Sequence, residues 1–263
     1  MPHTKSIAPI AFDDQGRGEP ALLCLPGWCI DRSAFQDLTR ACSRFRRTLS
    51  LDWRGHGESA ASEVDFGEEA LLEDALAVIE ESEIERVVPV ALSHAGWAAI
   101  ELRRRLGERV PAIVFLDWLV LDPPPPFIEA LATLQEASHW RMTRDQLFDM
   151  WLRDVDNPKV IRMIREVMGS YGFEMWARAG RAIEGAYRRE GAPLKTLAEL
   201  RPPVRALHLY AQPADPEFLH AQENFAALNP WFTVKKVNAK SHLSMLEAPE
   251  DMAAAIESFL ADV

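Results

Sequence analysis

Residues 87–97 read Val87-Val88-Pro89-Val90-Ala91-Leu92-Ser93-His94-Ala95-Gly96-Trp97. The apolar run up to Leu92 is too short for a helix and shows no polar alternation. It reads as a strand buried on both faces. The run stops at Ser93-His94-Ala95-Gly96, and a helical pattern follows over 97–106. A strand, a tight turn carrying a serine and then a helix is the setting in which a hydroxyl is held at the edge of a sheet for chemistry. The small residues flanking such a serine are usually glycines; here they are Ala91 and Ala95. Taken alone, the segment could also be a serine that only caps the next helix.

Outward from this segment, short apolar runs alternate with longer helical patterns. Strands are expected over 21–25, 48–51, 112–116, 204–210 and 232–237. Helices are expected over 66–82, where Leu71, Leu72, Ala75, Leu76 and Ile79 recur at helical spacing, and over 249–260, where Pro249 sits at an allowed early position. This rhythm predicts an α/β domain, a mostly parallel sheet with flanking helices. It breaks between Leu121 and Arg201. The break opens on Pro123-Pro124-Pro125-Pro126 and continues as helical sequence rich in large aromatics, among them Trp140, Trp151, Tyr171, Trp176 and Tyr187. The expected organisation is a core over 1–120, an inserted helical cap over 121–201, and the rest of the core over 202–263.

Around Ser93 the α/β-hydrolase fold supplies its usual partners. The turn Leu25-Pro26-Gly27-Trp28 follows the first buried strand, where this fold takes one backbone N–H for an oxyanion hole. The residue after the serine, His94, supplies the other. His242 lies between the last strand and the last helix, the place of the catalytic histidine. Its ordinary pKa near 6.5 suits a base at neutral pH. Two acids compete. Asp215 follows strand 204–210, the commoner position, but its loop lacks the usual glycine and is one residue too long. Asp117 follows strand 112–116 and is preferred. The turn Asp52-Trp53-Arg54-Gly55-His56-Gly57 reads as structural. His3, His56, His139, His208 and His220 read as surface or packing residues.

Composition narrows the field. The chain has 263 residues, 48% hydrophobic and 26% charged, as in an ordinary soluble protein, and a net charge of −11. That field repels a phosphate backbone, so nucleic acid is not expected as a partner. Cys24, Cys29 and Cys42 are odd in number and form no C-x-x-C pair, which fits a reducing compartment. No signal peptide, membrane span, metal-ligand spacing or dinucleotide fingerprint is seen. A cytoplasmic enzyme without metal or cofactor is expected.

These residues resemble the cofactor-independent 3-hydroxy-4(1H)-quinolone 2,4-dioxygenases. The resemblance rests on Leu25-Pro26-Gly27-Trp28-Cys29, Asp52-Trp53-Arg54-Gly55-His56-Gly57, Ser93-His94 and Asp117-Trp118-Leu119. It continues through 176–181, Gln212-Pro213, Asn229-Pro230-Trp231-Phe232 and Ser241-His242. Asp117-Trp118-Leu119 with Gln212-Pro213 is its specific part. Three departures stand out. Ala95 replaces a glycine, Ile30-Asp31 replaces Asp-His, and Ser241-His242-Leu243-Ser244 replaces Thr-His-Phe-Pro. The resemblance implies a small aromatic heterocyclic substrate and O2 as reactants. It implies His242 as the base, oriented by Asp117, and Ser93 binding substrate rather than attacking it. Trp28, Trp151 and Trp176 would wall a flat pocket. The competing readings are a serine esterase or amidase with Ser93 as nucleophile, and a ligand-binding protein that lost turnover.

Overall fold

The computed structural model describes residues 9–62 and 64–263; His3 lies outside them. Among the described residues, seven strands form one sheet: β1 (Phe12–Gln15), β2 (Ala21–Leu25), β3 (Thr48–Leu51), β4 (Val87–Leu92), β5 (Ala112–Leu116), β6 (Arg205–Tyr210) and β7 (Phe232–Lys236). Their order across the sheet is β1-β3-β2-β4-β5-β6-β7. Only β1 runs antiparallel, against β3. In β2, β4 and β5 every residue is buried, because helices cover both faces. β1 buries Phe12 and turns Asp13, Asp14 and Gln15 outward, which suits a charged edge.

Helices α1 (Gln36–Cys42), α2 (Glu68–Glu81) and α3 (Gly96–Leu106) join the first strands. Between β5 and β6 lie α4 (Pro125–Thr133), α5 (Trp140–Trp151), α6 (Pro158–Arg162), α7 (Phe173–Glu190) and α8 (Pro193–Ala198), with a π-helical stretch over Met163–Met168. The proline run does not merely interrupt the chain: Pro125 opens α4, where a missing N–H costs nothing. The helix α7 packs on α4 and α5. After β6 come α9 (Pro216–Leu228) and α10 (Pro249–Leu260).

The boundaries differ from expectation by a residue or two. The helix expected over 66–82 starts at Glu68, because Gly67 is extended and stands outside the helix. The sheet order has one consequence for function. β2, β4, β5 and β6 are neighbours, and all four run parallel. Their C-terminal ends therefore open on the same side, where ligands bind in sheets of this kind.

Candidate active site

Four strand ends build the site. After β4, Ser93 takes φ +52, a left-handed conformation that a non-glycine residue holds only at a cost. The next residues form a tight turn and lead into α3. Ala95 sits at φ −59, an ordinary helical value, so replacing the usual glycine there costs no backbone strain. At Gly96 glycine is required for space: an added Cβ would lie 2.3 Å from the Trp118 ring.

After β2, the turn through Trp28 is braced from behind. The Trp53 indole donates to the Pro26 carbonyl at 2.6 Å, and the Cys29 N–H donates to His56 Nε2 at 3.1 Å. The His56 Nδ1 lies 3.1 Å from the Arg54 carbonyl, which makes it the protonated nitrogen. Burial pushes His56 down to about 4, so it stays neutral as an acceptor. The 52–57 turn thus shapes the candidate oxyanion loop, and His56 is a packing residue. Cys29 is also left-handed, at φ +59.

After β5, Asp117 takes φ +44 and is 1% exposed. Its N–H donates to the Leu209 carbonyl. Its Oδ1 accepts the N–H groups of Ala211 (2.7 Å) and Gln212 (3.0 Å), which follow β6. Its Oδ2 accepts the Ser244 hydroxyl. Burial outweighs these donors and pushes the carboxyl up to about 7. The next residue is also held: the Trp118 N–H donates to His208 Nε2 at 3.2 Å, and His208 Nδ1 donates to Gln222 Oε1 at 2.6 Å.

His242 is partly buried, and its ring stacks on Trp151, with centroids 5.2 Å apart and planes within 14°. Burial pushes it down to about 4. The expected hydrogen bond between Asp117 and His242 is not made, and His242 makes none to Ser93. Asp117 Oδ2 takes the Ser244 hydroxyl, and the imidazole lies flat against the Trp151 indole instead.

A single cavity of about 830 Å³ brings together Ser93, His94, Asp117, His242, Trp28, Trp151 and Trp176. Trp28 stacks on Phe66 at 5.8 Å, and Trp176 meets Phe148 edge-on at 5.6 Å. Away from the strand ends the wall is apolar, with Leu131, Leu134, Leu147 and Ile183. His94 is held from outside the cavity wall: its Nε2 lies 3.1 Å from Glu68 Oε1, and Glu68 pairs with Arg189 at 2.6 Å. Asp215 is elsewhere. It is exposed and caps α9 by accepting the Glu217 N–H at 2.9 Å. Ser244, Ala211 and Gln212 were not foreseen as partners of Asp117. Among the described residues no three His, Cys, Asp or Glu side chains cluster as metal ligands, and no helix is long and apolar enough to cross a membrane.

The arrangement can seat a flat apolar molecule against a neutral imidazole. Comparison with known proteins shows the family. Residues 22–255 match the alpha/beta hydrolase family. The chain is 36% identical over 254 residues to a 2-heptyl-3-hydroxy-4(1H)-quinolone dioxygenase of Mycobacteroides abscessus, covering 96% of this chain and 94% of that protein. It is 35% identical over 242 residues to the 1H-3-hydroxy-4-oxoquinoline 2,4-dioxygenase of Pseudomonas putida, covering 92% and 91%. A solved structure of an AqdC variant with its substrate, described for recognition and ring cleavage of the Pseudomonas quinolone signal, superposes over all of both chains, with a TM-score of 0.95 at 35% identity. The chain belongs to the 3-hydroxy-4-quinolone dioxygenases, a family of enzymes on the α/β-hydrolase fold.

Proposed function

We propose that this enzyme uses O2 to open the ring of a 2-alkyl-3-hydroxy-4(1H)-quinolone, releasing carbon monoxide and an N-acylanthranilate. One observation carries the reading: His242, Asp117 and Ser93 share a cavity with three tryptophans and an apolar chamber larger than a bicyclic ring needs. The quinolone ring lies among Trp28, Trp151 and Trp176, and the 2-alkyl chain runs toward Leu131, Leu134 and Ile183.

The neutral His242 accepts the proton of the substrate 3-hydroxyl. For this step its ring turns from Trp151 toward Asp117, whose carboxylate stabilises the imidazolium. The substrate anion is electron-rich and reduces O2 itself. A peroxide forms at C2 and closes on the C4 carbonyl. The C2–C3 and C3–C4 bonds break, C3 leaves as carbon monoxide with its own oxygen, and the two oxygens of O2 end on C2 and C4. The N–H groups of Trp28 and His94 hold the C4 oxyanion. Ser93 hydrogen-bonds the substrate. Residues 121–201 act as the cap that supplies Trp151, Trp176 and the apolar wall. The three cysteines are free and buried, which favours work in the reducing cytoplasm.

The test is oxygen uptake with carbon monoxide detection, on chelator-treated protein, with the 2-heptyl and then the 2-methyl substrate. Equal uptake and carbon monoxide release are expected. No uptake with either, together with ester cleavage that requires Ser93, would overturn the reading.

A further inference from the structure

Three donors converge on Asp117, and one of them is a side chain. The N–H groups of Ala211 and Gln212 serve Oδ1, and the Ser244 hydroxyl serves Oδ2. Ser244 is 0% exposed. No lysine or arginine pairs with Asp117 among the described residues, so these donors are what the structure offers in place of water and a cation. The nearby charges do not help. Glu247, three residues beyond Ser244, opposes a second negative charge. Asp215 lies out at the α9 cap, and Lys240 is turned to Asp156 at 3.6 Å. Tyr210, from β6, is itself pushed up by burial and then by Glu223, Asp117 and Asp215, and does not donate to Asp117. The hydroxyl therefore carries a share of the carboxylate's stability that no other side chain carries.

We propose that Ser244 is a positioning residue for the base: its hydroxyl, bonded to Oδ2, stabilises the ionised form of Asp117 that serves His242. The inference rests on His242 being the base of the proposed reaction. A hydroxyl suits the task because it rotates. It can donate to Oδ2 in the resting enzyme and share that oxygen when the imidazole turns in, with no backbone movement. It also gives a role to a residue at which this chain departs from the family pattern.

The sign of the effect follows from the donor's removal. Without the hydroxyl, the buried carboxyl holds its proton to higher pH, and the base fails over the same range. The experiment follows the Asp117 carboxyl by carbon-13 NMR in aspartate-labelled enzyme without substrate, assigned with Asp117→Asn. Ser244→Ala is expected to raise the midpoint by about one pH unit, the worth of one good hydrogen bond to a charge. Ser244→Thr is expected to restore it. Ser244→Cys, nearly isosteric and a poor donor, should move it the same way as alanine and guards against a packing artefact. In turnover, the acidic limb of kcat/KM should move upward in step for Ser244→Ala, with KM unchanged on the plateau. An unmoved midpoint in Ser244→Ala, or a threonine variant that behaves like alanine, would overturn the inference. The titration needs no substrate. A shifted midpoint in an enzyme that turns over no quinolone would instead remove the proposed reaction and leave the role toward Asp117 standing.

Discussion

Trp151 and His242 lie face to face, one from the end of α5 and the other from the loop before α10. The helical insertion thus touches the base itself. Trp151→Ala should lower kcat by about ten- to a hundred-fold, since small misplacements of a reacting group cost that much. Trp151→Phe should keep most of it. Stopped-flow turnover with circular dichroism as a folding control measures this. An alanine variant with full kcat would show the stacking to be idle.

Ser93→Ala separates two chemistries. If Ser93 only binds substrate, a sizeable fraction of kcat survives and KM rises. If it is a nucleophile, the loss is about a thousand-fold or more. Steady-state oxygen uptake decides.

The two candidate acids should differ sharply. Asp117→Ala removes a buried group at the site, and its activity should fall by orders of magnitude, as should that of His242→Ala. Asp215→Ala removes a helix cap worth about 1 kcal/mol of stability and should leave turnover near normal. The reverse ranking, read from kcat/KM of the purified variants, would move the acid to the β6 loop.

Part of this was legible from sequence and part was not, for physical reasons. Strands 21–25 and 87–92 were readable because both faces are buried and the apolar run is unbroken. The edge strand β1 went unread because it buries little beyond Phe12 and carries two aspartates. The helix α9 went unread because it buries Gln222 and no apolar stripe, so no helical periodicity marks it. Ser93, Asp117 and His242 were singled out from their places after strands, and the fold brings all three to one cavity. The Ser244 hydroxyl was not singled out, because its partner is 127 residues away in the chain and no local pattern marks it. Nor could the sequence say that the His242 ring faces an indole rather than a carboxylate.

Chain length should be readable at Ala179, which lines the cavity from α7. Ala179→Phe shortens the chamber. Excluding two methylenes from burial, at about 0.8 kcal/mol each, lowers kcat/KM for the 2-heptyl substrate about ten-fold. The 2-methyl substrate should be little affected. Equal losses with both would place the chain elsewhere.

Acid should unfold the protein through its histidines. His56, His208 and His242 are each pushed from 6.5 down to about 4. Between those values the unfolded chain takes protons that the folded one refuses. The stability present above pH 6.5 is therefore lost as pH falls toward 4. Asp117, raised to about 7, acts in the opposite sense, since its folded form keeps a proton there, and so do Asp52 and Asp74, which burial also raises, whereas Glu68 and Asp65, held low beside basic partners, act with the histidines. Tm should drop between pH 7 and pH 4.5, and less steeply in His208→Gln. Identical slopes would mean that His208 charges without penalty.

The parallel strand ends also bear on how the protein comes to life. Residues 28, 93, 117 and 211 meet only when β2, β4, β5 and β6 are side by side, and His242 arrives from still later in the chain. No half of the polypeptide contains a working centre. On refolding, catalytic power is a late acquisition: it should lag the recovery of secondary structure, because these long-range pairings close slowly.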